Sequence, residues 1–388
     1  MQNKTPDPHR TLEGLLPQLN LDVDTTAVLR AIASDGDELP TQEVPLIHCL
    51  LRRLGPGRSG WESPRVQKAR RSLTAWLDGS SDTGPAVGPA ILREQRPIGL
   101  VFAGQGAPWF DELAELVASS AAAAHTVALC VRSLQSTFES LTAAEQAFFP
   151  YGVDVAGWLR NPESRPPQHA LLSAVVAFPM VFALQAAHLS YLLEQGMDRP
   201  AFRDLVCVAA GHSSGLVTAT WAAETWRSED PARRAADYVR FQVFVALRAS
   251  ELPIVAASPV TVARCAEQGL DAPSGMAAVT GMDKATLQAA IDALGLPLYA
   301  GVQNTRLRHV VSGAPDHLDT LRIALGTRFD DMTKAHKLGK HFGHLPILGW
   351  EYLIMKRPFH SPLLTASVSQ VRADVADFEI IADDLAFP

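Results

Sequence analysis

The sequence predicts an α/β protein with an N-terminal helical appendage, an α/β core and a small ferredoxin-like insert. Three observations carry that expectation. The first is an apolar run, Leu205 to Ala210, that enters Gly211-His212-Ser213-Ser214-Gly215 and leaves as an alanine-rich, helix-like stretch, Leu216 to Glu224. Strand, tight turn and helix form the setting in which G-x-S-x-G becomes a nucleophile elbow. The second is a strand-like segment, Ile98 to Phe102, that runs into Ala103-Gly104-Gln105-Gly106. The third is a change of texture from Gly275 onward, where short apolar runs and amphipathic runs follow one another in β-α-β-β-α order.

The totals are consistent with this. A chain of 388 residues is long enough for one large domain with an insert, or for two domains. A hydrophobic share of 47% against 19% charged residues supplies a sizeable core. The formal charge of -7 argues against a general nucleic-acid binder, which is basic. No uninterrupted apolar stretch is long and clean enough to span a membrane, and the opening MQNKTPDPHRTLEG lacks a signal-peptide profile. Cys49, Cys130, Cys207 and Cys265 are scattered and form no C-x-x-C. Reduced, buried thiols in a cytoplasmic protein are the expectation, with no disulfide or zinc framework.

Residues 1–95 read as the helical appendage and its linker. Leu12 to Leu21, Thr25 to Ile32, Val44 to Leu54 and Val66 to Leu77 have helical apolar spacing, and Asp78 to Pro85 is a flexible connector. No catalytic constellation lies there, so a scaffold or docking role is expected. The core spans 96–272 and 327–388. Its first strand, Ile98 to Phe102, ends in the Gly-Gln-Gly loop, and Trp109 to Leu113 opens a helix. The loop is not a P-loop, because no G-K-[ST] follows. Helical regions are expected at Leu113 to Phe138 and Leu171 to Leu193; the second is apolar almost all round and belongs against a sheet. Pro179 should kink it or mark its start. After the elbow comes a long helix, Pro231 to Ser250.

The insert is placed at 273–326. Met276 to Thr280, Leu298 to Val302 and His309 to Ser312 read as strands. Asp283 caps a helix running to Leu294, and Pro315 to Leu325 is the second helix. Phe329 to Trp350 is polar and basic, with Lys334, His336, Lys337, Lys340, His341 and His344, and reads as a solvated surface segment rather than a metal site. Arg357 to Pro362 and a helical stretch, Leu363 to Val375, close the pattern.

Within the elbow, the sharp turn forces Ser213 into a strained backbone conformation. Gly211 and Gly215 remove the side chains that would collide there. The hydroxyl is then held out at the sheet's mouth, beside a helix N-terminus that favours developing negative charge. His360 is the candidate base, since a serine hydroxyl needs one within hydrogen-bond reach.

Phe102-Ala103-Gly104-Gln105-Gly106, Gly211-His212-Ser213-Ser214-Gly215 and Pro358-Phe359-His360-Ser361-Pro362 occur in the order seen in malonyl/acetyl-CoA:acyl-carrier-protein transacylases. The chain most resembles the acetyltransferase (starter acyltransferase) domain of fungal and actinobacterial type I fatty acid synthases, over roughly 96–375. That likeness rests on Gly104-Gln105-Gly106 running into Trp109-Phe110-Asp111-Glu112-Leu113, and on Gly215-Leu216-Val217-Thr218-Ala219 after the serine. It also rests on Gln303-Asn304 ahead of Val310-Val311-Ser312-Gly313, and on Glu351-Tyr352-Leu353 ahead of the histidine.

The resemblance implies a hydrolase-like, three-layer α/β core with a parallel sheet, and a ferredoxin-like subdomain between serine and histidine. It implies a two-step transfer: acetyl-CoA acylates Ser213, CoA leaves, and the phosphopantetheine thiol of an acyl carrier protein takes the acyl group. His360 would shuttle the proton, and the backbone N–H groups of Gln105 and Ser214 would hold the oxyanion. Residue 214 departs from the family, where Gln is more familiar. His212, Asn304, Gly104, Gly106, Gly211 and Gly215 would support the site. No permanent cofactor and no metal are implied. The partners would be the acyl carrier protein domain, other fatty acid synthase domains and acyl-CoA, with neither nucleic acid nor membrane.

Specificity is argued from the helix after the elbow. Malonyl-transferring relatives place there an arginine that pairs with the free carboxylate. Aligning Phe244-Val245-Ala246-Leu247-Arg248 puts Val245 in its place. A malonyl carboxylate facing Val245 would lack a partner, at a cost on the order of several kcal/mol. An acetyl-type starter transferase is therefore expected. A shift in register would return Arg240 or Arg248 to the pocket. The alternatives are a malonyl transferase, an esterase, or a non-catalytic scaffold with this fold in a megasynthase. Only 28 residues follow His360, where relatives continue through at least one more strand, so a longer native polypeptide is expected.

Overall fold

The computed structural model describes residues 97–106, 108–194, 204–226, 230–253, 255–337 (the side chains of 332–337 aside), 348–380 and 385–387, with Thr26, Leu29, Arg30 and Leu73 earlier in the chain. Residues 1–93 and 94–388 form separate compact units. The helices expected at 12–77 and the connector at 78–85 lie almost wholly outside the described residues. Of that unit, Leu29 and Leu73 are helical and fully buried.

In the second unit, β1 (Ile98–Phe102) and β2 (Val206–Gly211) pair in parallel, with Phe102 opposite Gly211. Among the described residues the parallel sheet consists of these two strands. One consequence corrects the expectation of buried thiols: Cys130 and Cys265 are buried, but Cys207 on β2 is exposed, as are the neighbouring Val101 and Val208. No described element covers that part of the strand pair.

The helices stack beside it. The first expected helical region is two helices, α1 (Phe110–Ser119) and α2 (Ala121–Ser140). They are divided by Ser120, which is extended at φ −141° and accepts a cap bond from Ala123 N–H. Short α-helical segments at Ala143–Gln146, Val155–Arg160 and Gln168–Leu171 lead to α3 (Ala174–Leu192). Pro179 lies inside α3, so it is not the helix start. The chain continues through β2 into α4 (Gly215–Thr225) and α5 (Pro231–Glu251).

α3 packs against both α2 and α5. That explains its apolar surface all round: it has no solvent face to supply with polar residues. By length and composition α3 would cross a membrane, yet 78% of its apolar window is buried inside the protein. Phe182 on α3 stacks on Tyr238 of α5 at 5.8 Å and meets Trp221 of α4 edge-on at 5.6 Å.

α6 (Pro259–Glu267) leads to a second sheet. Its elements are β3 (Met276–Thr280), α7 (Lys284–Leu294), β4 (Tyr299–Thr305), β5 (Arg308–Ser312), α8 (Pro315–Lys337) and β6 (Gly349–Tyr352). Asp283 caps α7 by accepting from Thr286 N–H at 2.8 Å. The strands are antiparallel in the order β4-β5-β3-β6. Ala277, Val279, Leu287, Val311, Leu318 and Leu321 form the core between this sheet and its two helices.

The expected limits of this block, 273–326, need correction. α8 runs on to Lys337, and β6 adds a fourth strand that pairs Tyr352 with Ala277. Residues 327–337 contain neither Gly nor Pro, so nothing in the sequence breaks the helix there. Their polarity marks a solvated surface segment but not its helical form. Lys340, His341 and His344 lie outside the described residues. α9 (Thr365–Asp374) follows the histidine segment.

Candidate active site

The elbow joins β2 to α4. Ser213 has φ 53°, in the left-handed region that favours glycine. The turn is tight enough that a Cβ on Gly211 would stand 2.1 Å from Leu216 N, and one on Gly215 would stand 2.3 Å from Phe102 O. Gly104, in the loop after β1, abuts the elbow: its Cβ would lie 2.7 Å from His212 O. Gly106 has φ 133° in the same loop. The two glycine loops therefore meet at Ser213. His212 N–H donating to Phe102 O at 2.9 Å ties them together.

His360 arrives from the far end of the sequence. Its Nε2 lies 2.8 Å from Ser213 Oγ. It too has a positive φ, 58°, and among the described residues it and Ser213 are the non-glycine positions that do. Burial pulls the His360 pKa below the ordinary 6.5, and the neighbouring His212 lowers it further. The ring nevertheless keeps solvent access. A neutral imidazole at pH 7 has a lone pair for the Ser213 proton. No described residue hydrogen-bonds Nδ1 of His360.

The second sheet positions that histidine. Ser312 on β5 donates its hydroxyl to Phe359 O. β4 passes so close that a Cβ on Gly301 would stand 2.1 Å from His360 O. Phe359 packs on Phe178 of α3, with centroids 5.2 Å apart. Arg357 donates to the carbonyls of Ser250 and Leu252 at the C-terminal end of α5, the end that favours a cation. Asn304, also on β4, accepts from His212 Nε2 at 2.8 Å. Asn304 thus braces the elbow histidine and joins the two sheets.

Gln105 N–H donates to Ser214 Oγ at 3.1 Å, and Gln105 Nε2 donates to Leu172 O at 2.9 Å. The loop is further held by Gln185 on α3, whose Nε2 donates to Ala103 O at 2.6 Å while its Oε1 accepts from Thr218 on α4 at 2.6 Å. Gln242 on α5 is buried, with Nε2 3.4 Å from Ser214 O. Val245, half-buried, follows it by three residues on the same helical face. Neither of the two α5 arginines that flank Val245, Arg240 and Arg248, is free. Arg240 is bound to Asp377 at 2.7 Å, and Arg248 to Asp374 and Glu145 at 2.6 Å each.

Sequence reasoning missed Gln185, Gln242, Gly301, Ser312, Phe178 and Arg357. The signal for the two glutamines was a polar side chain within an otherwise apolar helix face. The others act across distances that no local pattern records.

A family model described as "Starter unit:ACP transacylase in aflatoxin biosynthesis" matches residues 100–328, more than half of the chain. The fatty acid synthase beta subunit TOXC of Cochliobolus carbonum is 28% identical over 309 residues, covering 74% of this chain and 14% of that protein. The fatty acid synthase subunit beta of Saccharomyces cerevisiae is 26% identical over 313 residues, covering 74% and 15%. The chain thus spans about a seventh of the length of the curated relatives it matches. Among solved structures, a malonyl-transacylase in complex with a type II polyketide synthase acyl-carrier protein aligns with TM-score 0.50 and 17% identity, covering 75% of this chain and 73% of the other. That likeness is one of fold: mixed helix and sheet in the acyltransferase arrangement.

Proposed function

This chain belongs to the starter unit:acyl-carrier-protein transacylase family, with an acyltransferase fold and homology to fungal fatty acid synthase beta subunits, and from that premise we propose that it loads an uncharged short acyl group, acetyl above all, onto an acyl carrier protein through an acyl-serine intermediate. The observation that carries the reading is the 2.8 Å approach of Ser213 Oγ to His360 Nε2 at the mouth of the parallel strand pair.

Ser213 Oγ attacks the thioester carbonyl of acyl-CoA while His360 Nε2 takes its proton. The tetrahedral oxyanion is received by the N–H groups of Gln105 and Ser214. Collapse breaks the carbon–sulfur bond, and His360 returns the proton to the leaving CoA sulfur. A phosphopantetheine thiol then enters, gives its proton to His360, and attacks the acyl-serine ester. The proton passes back to Ser213 Oγ as the thioester forms. The protein itself holds no permanent cofactor in this scheme. The acceptor is a carrier protein domain, with other synthase domains as partners in a cytoplasmic assembly.

Preference for an uncharged group is supported by Val245 and by the engagement of Arg240 and Arg248 elsewhere. A malonyl carboxylate near Val245 would find Arg248, one turn on, already held by Asp374 and Glu145. The test is intact-protein mass spectrometry after brief exposure to acetyl-CoA or malonyl-CoA, with Ser213→Ala as control. An acetyl adduct absent from the variant is expected, with little malonyl adduct. Equal malonyl labelling would overturn the specificity, and no adduct from either donor would overturn the acyl-serine reading.

A further inference from the structure

Ser214 stands at the N-terminus of α4 but does not cap it: its side chain accepts no hydrogen bond from the first turn. A serine at that place ordinarily turns its hydroxyl to the helix N–H groups. Here the hydroxyl turns the other way and accepts from Gln105 N–H at 3.1 Å. The two backbone donors assigned to the oxyanion are therefore in different states. Among the described residues Ser214 N–H has no acceptor, whereas Gln105 N–H is already occupied. The residue is fixed from its other end as well, since its carbonyl accepts from Gln242 Nε2.

We infer that the Ser214 hydroxyl is a plug in the oxyanion hole, a gating group that must leave Gln105 N–H before a reacting carbonyl oxygen can take its place. This rests on the acyl-serine reading above. The plug acts in both half-reactions. It slows acylation, because the attacked thioester oxygen has to displace an existing acceptor. It also protects the acyl-serine ester from water, because hydrolysis passes through the same oxyanion. The trade is speed for a loaded serine that survives until a carrier thiol arrives.

Removing the hydroxyl should release the donor. An ordinary neutral hydrogen bond corresponds to about a fivefold effect on an equilibrium. Ser214→Ala is therefore expected to acylate Ser213 about fivefold faster than the parent, by rapid-quench mass spectrometry with acetyl-CoA. The isolated acyl-enzyme should hydrolyse faster by a similar factor, with the melting temperature unchanged. Damage to packing would slow both steps, so a gain in both is the signature of an unplugged hole. Ser214→Cys keeps the shape with a weaker acceptor, and should fall between parent and Ser214→Ala; it also serves if the alanine variant does not fold.

Three outcomes are distinct. Faster acylation and faster ester hydrolysis in the variants support the plug. A parent that acylates, beside folded variants that are no faster or are slower, overturns the plug alone and makes the hydroxyl neutral or a donor to the oxyanion. Absence of any Ser213 adduct in parent and variants overturns the acyl-serine reading and the plug with it.

Discussion

Gly301→Ala tests whether the second sheet sets the catalytic distance. An alanine Cβ at this position would lie 2.1 Å from His360 O, whereas real Cβ contacts essentially never fall below 3.0 Å. The His360 carbonyl, or β4 itself, must therefore retreat by at least 0.9 Å, the difference of those two distances. β4 has little freedom to do so, because β5 pairs with it on one side and Asn304 ties it to His212. If His360 absorbs the movement along its approach to Ser213, the Oγ–Nε2 distance opens from 2.8 Å to about 3.7 Å, beyond hydrogen-bond reach. A misplacement of about 1 Å in a catalytic group costs roughly a hundredfold in rate. The assay is the rate of acetyl-serine formation by rapid-quench mass spectrometry, with thermal melting as the control for folding. A folded Gly301→Ala protein that acylates within twofold of the parent would refute the claim that β4 holds His360 in place.

Three further outcomes are expected. Burial lowers the His360 pKa below the ordinary 6.5, which favours the neutral base. The acylation rate should rise through a midpoint below 6.5 and be flat above it; a midpoint at 7 or higher would contradict the geometry. The same shift means that the unfolded chain binds more protons at this histidine, so its contribution to stability is present above pH 6.5 and declines as the pH falls through and below that value. Val245→Arg should gain malonyl adduct in the mass-spectrometric assay while losing acetyl adduct, since it puts a cation on the face shared with Gln242; no gain would show that Val245 does not face the acyl group. Asp319, only 1% exposed, is held by both Arg264 and Arg322. Asp319→Ala removes the buried carboxylate that both guanidinium groups bind and should cost about 3 kcal/mol, read as a fall in the urea midpoint with little change in acylation at low temperature.

What the sequence revealed and what it hid divide along physical lines. The elbow is legible because every requirement is local: an apolar strand, two glycines to clear the turn, and a helix start within eleven residues. The strand segments of β4 and β5 and the cap at Asp283 are legible for the same reason. The extension of α8 to Lys337 was hidden because the sequence there carries no regular apolar stripe. β6 was hidden because four residues are too few to display alternation. Ser312 and Gly301 were invisible as histidine supports. Their partners, Phe359 and His360, lie 47 and 59 residues away along the chain, and only the folded sheet brings them together.

Ser213 and His360 hang from different sheets: Ser213 from the parallel pair β1–β2, and His360 against the antiparallel set, with Asn304 and His212 as a polar rivet between them. Warming is therefore expected to attack function before it attacks architecture. A slide of about an ångström between the two sheets separates Oγ from Nε2 while each sheet keeps its own ladder of hydrogen bonds. The expected result is acylation that is lost on heating, and regained on cooling, below the temperature at which circular dichroism collapses; loss of both together would refute it.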